Sequence, residues 1–336
     1  MRCQEIRLTT VPTAEVTAAN FGVFESDAGE PAPGEVLVGV LRLGLNAGLA
    51  HRLGGEGTAY GPGVGVGDVP TSDAVVEVLD PGDSDLPTGS LAVGKVPWCS
   101  AGVVEAAELH PIETPAGEDE LNAHLTILGH VGFTAWTGMI HLGEVRAGEV
   151  VYVSGAAGGV GSCAVQFAKA TGATVIGVAG SAEKVTLLTE VLGADRAVNR
   201  HDGPAVDLLR EAAPDGIDLY YDNVGGEQLE AALDVLRPGG RAIICGAVSG
   251  GTRSDAPANC RNLIHRELTL RGFTVTAHES LRGQFESEVG AWLQEGRVRS
   301  VHTMFDGIER VPEAFESLLS GGSSGRLIVS MASRPG

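Results

Sequence analysis

Apolar residues along this chain recur with two different periods. Up to about residue 125 they come in short runs, such as Glu35-Val-Leu-Val-Gly-Val-Leu41 and Ala74-Val-Val-Glu-Val-Leu79, broken by the turn formers Pro31-Ala-Pro-Gly34 and Pro81-Gly-Asp83. Runs rich in β-branched residues and bounded by Gly, Pro and Asp predict strands, so this half is expected to be a small barrel or sandwich. Gly61-Pro-Gly-Val-Gly-Val-Gly67 is expected to be a loop, because so many glycines cost too much entropy inside an element.

From Glu149 the pattern changes to alternating units. Strand Val150 to Ser154 is followed by a helix to about Lys169, strand Thr174 to Val178, a helix to Leu192 and a short strand around Ala197. Helix Ala205 to Ala212, strand Ile217 to Tyr221, helix Glu227 to Leu236 and strand Arg241 to Cys245 continue the series. Strands at this spacing, each followed by a helix, predict a doubly wound parallel sheet of the Rossmann type. Beyond it, Asn262 to Leu270 reads as a helix leading into strand Thr269 to Val275, and Gln284 to Gln294 is amphipathic. The tail from Val301 returns to strand, helix and strand, ending in Arg326-Leu-Ile-Val-Ser330. It continues neither the βα series nor a linker, so it is expected to fold back onto the first domain. The fold class is therefore α/β, with residues 1–127 and 301–336 forming a β-rich domain and 128–300 the parallel-sheet domain.

Charge and cysteine usage narrow the function. Lys and Arg number 23 against 43 Asp and Glu, a net charge of -20 that repels phosphate backbones and anionic lipid, so nucleic acid and membrane surfaces are not expected partners. The five cysteines, at 3, 99, 163, 245 and 260, form no Cys-x-x-Cys pair, which argues against a disulfide framework or a thiolate zinc lobe and for a reducing compartment. With no apolar leader and no run of about 18 apolar residues, a cytoplasmic protein is expected. The 49 glycines ask for backbone reasons, and one of them is local.

Strand Val150-Val-Tyr-Val153 runs into Ser154-Gly-Ala-Ala-Gly-Gly-Val-Gly-Ser162 and then an apolar helix face. From Ala156 this reads A-x-G-x-x-G, a variant of the dinucleotide fingerprint. Gly158 lets backbone approach a pyrophosphate, Gly161 lets the helix sit close on the strand, and the helix N-terminus supplies N–H donors. A bare glycine turn is the plain alternative, and the βα units behind the loop weigh against it. The second strand, where an acid about 20 residues on would grip the ribose of NAD, ends instead in Val178-Ala-Gly-Ser181, with Lys184 one turn later and Arg200 after the third strand. A missing acid beside cations suits the 2′-phosphate of NADP. Ordinary surface charge is the bland reading for both cations, but Lys95, Lys169 and Lys184 are the only lysines in the chain.

These residues resemble the zinc-independent medium-chain dehydrogenase/reductases, and among them the leukotriene B4 dehydrogenase, prostaglandin reductase and alkenal double-bond reductase group. The resemblance is carried by Gly132-Phe-Thr-Ala-Trp136, Gly148 to Ser162, Ala179-Gly-Ser-Ala-Glu-Lys184, Tyr221-Asp-Asn-Val-Gly-Gly-Glu227, Gly240 to Ser249 and Gly272-Phe-Thr-Val275. It implies a GroES-like catalytic domain, a Rossmann domain, an active site in the cleft and NADPH as cofactor. Thr134 would then meet the nicotinamide amide, and Ala157, Gly158, Gly159, Val160 and Gly161 the pyrophosphate. Gly180, Ser181, Lys184 and Arg200 would meet the 2′-phosphate and Asn223 the adenosine side. Cys245, Gly246, Ala247, Phe273 and Val275 would flank the nicotinamide ribose and ring, and Ser323 stands where the family has a cofactor-touching Asn. The resemblance, with the alternating strand in Glu267 to Val275, also implies a homodimer. Three departures stand out. Asn199-Arg200 replaces an Asn-Tyr pair, Thr276 replaces a tyrosine of the catalytic site, and Leu45-Asn-Ala-Gly-Leu49 replaces Asp-Pro-Tyr, so the substrate pocket is expected to be rebuilt.

The family's zinc signature Gly-His-Glu is missing, Gly129-His-Val131 being the nearest string, and His265-Arg-Glu267 has no third ligand in sequence, so no metal is expected. Hydride delivery without a Lewis acid is easiest to a conjugated C=C, whose incoming charge delocalises onto a carbonyl oxygen that ordinary donors can hold. Candidate donors are His130, Thr276 and Tyr60. His130 could equally be a packing histidine of the cleft, and Tyr60 a plain loop aromatic. The expected activity is NADPH-dependent reduction of an enone, enal or enoyl thioester; a quinone reductase and a non-catalytic NADPH-binding protein are the alternatives.

Overall fold

The computed structural model describes residues 1–55, 57, 61–113, 117–246 and 257–331. The chain divides into two compact units, one of Met1–Leu125 with His302–Gly336 and one of Thr126–Val301. Among the described residues the first holds a seven-stranded sheet and a two-stranded one, Arg2–Leu8 with Phe21–Asp27, and the second a six-stranded sheet.

In the first unit, alternation of buried Val and Leu with half-exposed neighbours makes Glu35–Gly44 and Thr71–Asp80 long strands that pair antiparallel. Leu91–Pro97 and His110–Ile112 extend the sheet beyond Thr71–Asp80, and Ala101–Glu105 pairs with the first half of Glu35–Gly44. The tail supplies its other edge: Arg326–Ser330 pairs antiparallel with Glu35–Gly44 and parallel with His302–Asp306. Helix Val311–Leu319 sends Phe315 into the core, where its ring meets Phe21 and Trp98 at 5.9 and 5.4 Å between centroids. The Trp98 indole N–H, fully buried, donates to Ser72 Oγ at 2.9 Å. This is the β-rich, GroES-like half of the α/β fold.

The second unit is a six-stranded parallel sheet. In chain order its strands are Val150–Val153, Thr174–Ala179, Arg196–Asn199, Ile217–Asp222, Leu236–Ile244 and Thr269–Gly272, and they lie in the order 3-2-1-4-5-6. That is the doubly wound order, which places the loops after the first and fourth strands side by side at the carboxyl ends. The strands are apolar on both faces because helices cover both, as in the run Val175, Ile176 and Val178.

Four elements differ from their sequence reading, the fifth strand among them, which begins at Leu236 rather than Arg241. The helix expected over Asn262 to Leu270 stops at His265, because Glu267 takes a left-handed φ of 53° that ends any α-helix. The strand expected to reach Val275 stops at Gly272, opposite Ile244, where the neighbouring strand ends; Val275 opens a 3-10 helix, Val275–Leu281. The helix expected to run to Leu192 is Ala182–Thr186 continued by a wider turn over Leu187–Val191.

Candidate functional site

The first strand leads into a loop whose geometry depends on a close approach. A Cβ on Gly161 would stand 2.2 Å from the Gly155 carbonyl oxygen and 2.8 Å from the Ala156 Cα, so only glycine lets helix Gly159–Ala170 begin against the loop. Gly155 takes a φ of 56°, Ala156 N–H donates to Val178 O at 2.9 Å, and Gly158 N–H donates to Gly155 O at 3.0 Å. Ala157 is buried, whereas Gly158, Gly159 and Val160 are half-exposed at the helix start, where the first N–H groups have no intrahelical acceptor.

A buried polar cluster fixes this loop to the one after the fourth strand. Ser154, Tyr220 and Asp222 are fully buried. Asp222 Oδ1 accepts from Ser154 Oγ at 3.1 Å, Tyr220 Oη at 2.7 Å and the N–H groups of Val224 and Gly225 at 2.9 and 2.7 Å. Asn223 donates its backbone N–H to Ser154 Oγ and its Nδ2 to Ser154 O at 2.8 Å. Asn223 therefore pins the glycine loop. Ser154, Tyr220 and Asp222 escaped the sequence reading; the sole signal was polar residues at the end of an otherwise apolar strand.

At the tip of the second strand, Ser181 caps helix Ala182–Thr186 and accepts from the Lys184 N–H at 3.4 Å. A Cβ on Gly180 would lie 3.2 Å from Arg200 Nε and 3.3 Å from its Cζ, so the guanidinium rests where an acid's side chain would start. Burial, and then the Arg200 charge, hold the Lys184 ammonium below its usual value. Two cations thus converge at the acid position of a chain whose net charge is -20. This arrangement, with the glycine loop, fits a dinucleotide bearing an extra phosphate.

Another group gathers near the carboxyl ends of the fourth and fifth strands. Tyr221 Oη donates to Thr134 O at 3.1 Å, and the Tyr221 ring and Phe273 ring close on Gly138, where a Cβ would stand 2.6 and 2.9 Å from them. Burial, partly opposed by the Tyr221 hydroxyl, pushes the Cys245 thiol up to about 11, so it is no nucleophile at neutral pH. Thr134 Oγ1 donates to His130 O at 2.7 Å, and His130 is half-buried in the first turn of helix His130–Trp136. Cys245 and Gly246 donate N–H to Asp222 O, and Val275 is buried. Thr276 is exposed on the 3-10 helix. Ser323 is buried in the first unit, between helix Val311–Leu319 and strand Arg326–Ser330. Tyr60 and Ala247 lie outside the described residues. Among the described residues no group of three or more His, Cys, Asp and Glu is placed to hold a metal ion. A separate groove, lined by Arg210, Asp215, Arg237 and Arg266, opens at the amino ends of the fourth and fifth strands, away from the loop end where doubly wound sheets bind ligands.

Residues 4–112 match the family described as N-terminal domain of oxidoreductase, and residues 159–293 the family described as zinc-binding dehydrogenase. The chain is 31% identical over 338 residues to the NADPH-dependent curcumin reductase of Escherichia coli, covering 97% of this chain and 96% of that one. It is 35% identical over 272 residues to prostaglandin reductase 1 of Rattus norvegicus, covering 78% and 82%. Among solved structures it is similar to CurA from Vibrio vulnificus in complex with NADPH, with a TM-score of 0.91 at 26% identity over 98% of this chain and 100% of that one. With identity of this degree carried along both units, the chain belongs to the medium-chain dehydrogenase/reductases, in their zinc-independent branch of prostaglandin and alkenal reductases.

Proposed function

We propose that the protein is an NADPH-dependent reductase of the activated C=C in an α,β-unsaturated carbonyl compound, an enone, enal or enoyl thioester. The observation that carries the cofactor half is the Arg200 guanidinium lying on Gly180 beside Lys184, where a carboxylate would repel a 2′-phosphate. Relatives named as a curcumin reductase and a prostaglandin reductase favour a conjugated carbonyl as substrate.

NADPH supplies a hydride for the β-carbon of such a substrate. The chain's own residues bind, orient and move protons. The half-exposed start of helix Gly159–Ala170 offers N–H groups and a positive dipole end to the pyrophosphate. Thr134 Oγ1, its hydrogen given to His130 O, keeps its lone pairs to accept from a carboxamide N–H. Cys245, Gly246, Phe273 and Val275 would flank the nicotinamide ribose and ring, and Ala247, outside the described residues, is assigned to the same group. Ser323 is assigned the contact of the family's Asn. Thr276 or water holds the enolate oxygen, and His130 or solvent delivers the proton to the α-carbon, with Tyr60 as the reserve donor. Hydrogen-bond donors carry the polarisation, because the Gly-His-Glu ligand signature is missing from the sequence.

The test is turnover with NADPH and a panel of enones, enals, enoyl thioesters and quinones. Saturated carbonyl products from the first three classes are expected; activity confined to quinones would transfer the function to quinone reduction. We also assign a homodimer. Strand Thr269–Gly272 ends the sheet with all four residues exposed, including Leu270, and can pair with its copy. Light scattering at twice the chain mass is expected, and the monomer mass would remove the assignment.

A further inference from the structure

We infer that His201 is a specificity-determining residue: its imidazole positions the Arg200 guanidinium over Gly180, and the Arg200–His201 pair selects a 2′-phosphorylated adenosine. The inference rests on the NADPH reading above and adds to it a residue that neither the motifs nor the comparisons single out.

Backbone geometry fixes where Arg200 can go. The third strand ends at Asn199, but Arg200 N–H still donates to Ala179 O at 2.9 Å, carrying the parallel ladder one residue further and setting Arg200 beside Gly180. The turn that follows is held twice, by His201 N–H to Asn199 Oδ1 at 3.2 Å and Asp202 N–H to Asn199 O at 3.1 Å. This turn brings the imidazole back to the arginine, and Arg200 Nε donates to His201 Nε2 at 3.2 Å. A guanidinium can only donate, so the ring Nε2 of His201 is the acceptor in this bond.

Two consequences follow from that bond. Arginine on an exposed surface samples many rotamers, and a phosphate that must first order it loses affinity; a guanidinium already tethered through Nε loses less. The tether also decides which edge of the fork is presented. With Nε given to His201, the Nη1–Nη2 edge is the one directed to a phosphate, in the two-pronged geometry that suits it. Lys184 stands near enough for its charge and that of Arg200 to oppose each other, which an anion between them relieves. Gly180 completes the device, since a Cβ there would press on the guanidinium at 3.2–3.3 Å.

Calorimetric titration of the full chain with adenosine 2′,5′-bisphosphate and adenosine 5′-monophosphate tests this without turnover. Wild type is expected to bind the bisphosphate at least about ten-fold more tightly. His201→Ala is expected to weaken the bisphosphate about three- to ten-fold and the monophosphate less than about two-fold. His201→Gln, whose amide oxygen can accept from Nε, is expected to recover most of the loss. In an Arg200→Ala background His201→Ala should have no further effect, because a positioning residue acts only through its partner. Equal affinities in wild type would overturn the NADPH reading itself. Discrimination that survives His201→Ala undiminished, or losses that add in the double variant, would overturn the role of His201 and leave that reading standing.

Discussion

At Gly180 the place of a side chain is taken by the Arg200 guanidinium, with Nη2 3.3 Å from where a Cβ would stand. An aspartate there would meet a cation already in position and set its own charge at the place assigned to the 2′-phosphate. Gly180→Asp should therefore lower affinity for NADPH by at least about ten-fold, the loss of one charged hydrogen bond, while NADH holds or gains. Fluorescence titration with the two cofactors measures it; an unchanged ratio would show that the tip of the second strand does not read the phosphate. The missing acid was legible in the sequence, as was Lys184. What sequence could not supply was the contact: Arg200 lies twenty residues from Gly180, and only the parallel pairing of Asn199 with Ala179 brings them together. Likewise, Asn223 was singled out for the cofactor, yet its side chain donates to Ser154 O, inside a buried network that no spacing rule announces.

Among the elements, helix Gly159–Ala170 depends most on a single position. A methyl on Gly161 would overlap the Gly155 carbonyl, and because that contact is backbone on backbone neither partner can swing aside. Gly161→Ala should displace the helix start, weaken NADPH at least about ten-fold and cost about 1–3 kcal/mol of stability. Gly158→Ala, whose nearest contact would be 3.3 Å, should fold like wild type. Cofactor titration with thermal melting of both variants checks this, and a Gly161→Ala protein with normal affinity would contradict the assigned geometry. The βα alternation was readable because each strand is a short apolar run closed by a turn. The segment after Arg261 was not, since the left-handed Glu267 is neither Gly nor Asn and gives no warning in the residue type. The same segment places Thr276 on a 3-10 turn where a strand was expected to end just before it, at Val275.

For the molecule as a whole, the first unit is assembled from both ends of the chain, and two of its histidines, His124 and His302, are harder to protonate than a free imidazole. Burial keeps His302 and His124 below the usual imidazole value, and Asn122 Nδ2 lies 3.3 Å from His302 Nε2, a bond that the amide can only donate. A group with a depressed folded pKa contributes stability that is present above its unfolded value, about 6.5 for histidine, and lost as pH falls through the folded value. The melting temperature should therefore fall between about pH 7 and about pH 5, and His302→Gln, which accepts from Asn122 without titrating, should flatten that fall. An identical slope in the variant would remove His302 from the account. That the tail rejoins the first unit was foreseeable from its strand, helix and strand pattern. That Phe315 would meet Trp98 and Phe21 was not, because nothing local pairs residues so far apart in sequence.

Hydride transfer from NADPH to a conjugated carbon leaves an isotopic trace. NADPH deuterated at the transferring position of the nicotinamide is incubated with the protein and an enone, and the deuterium in the product is located by NMR. One deuterium at the β-carbon of a saturated ketone is the predicted result, with the α-hydrogen taken from solvent. Deuterium on a carbinol carbon with the double bond intact would contradict it.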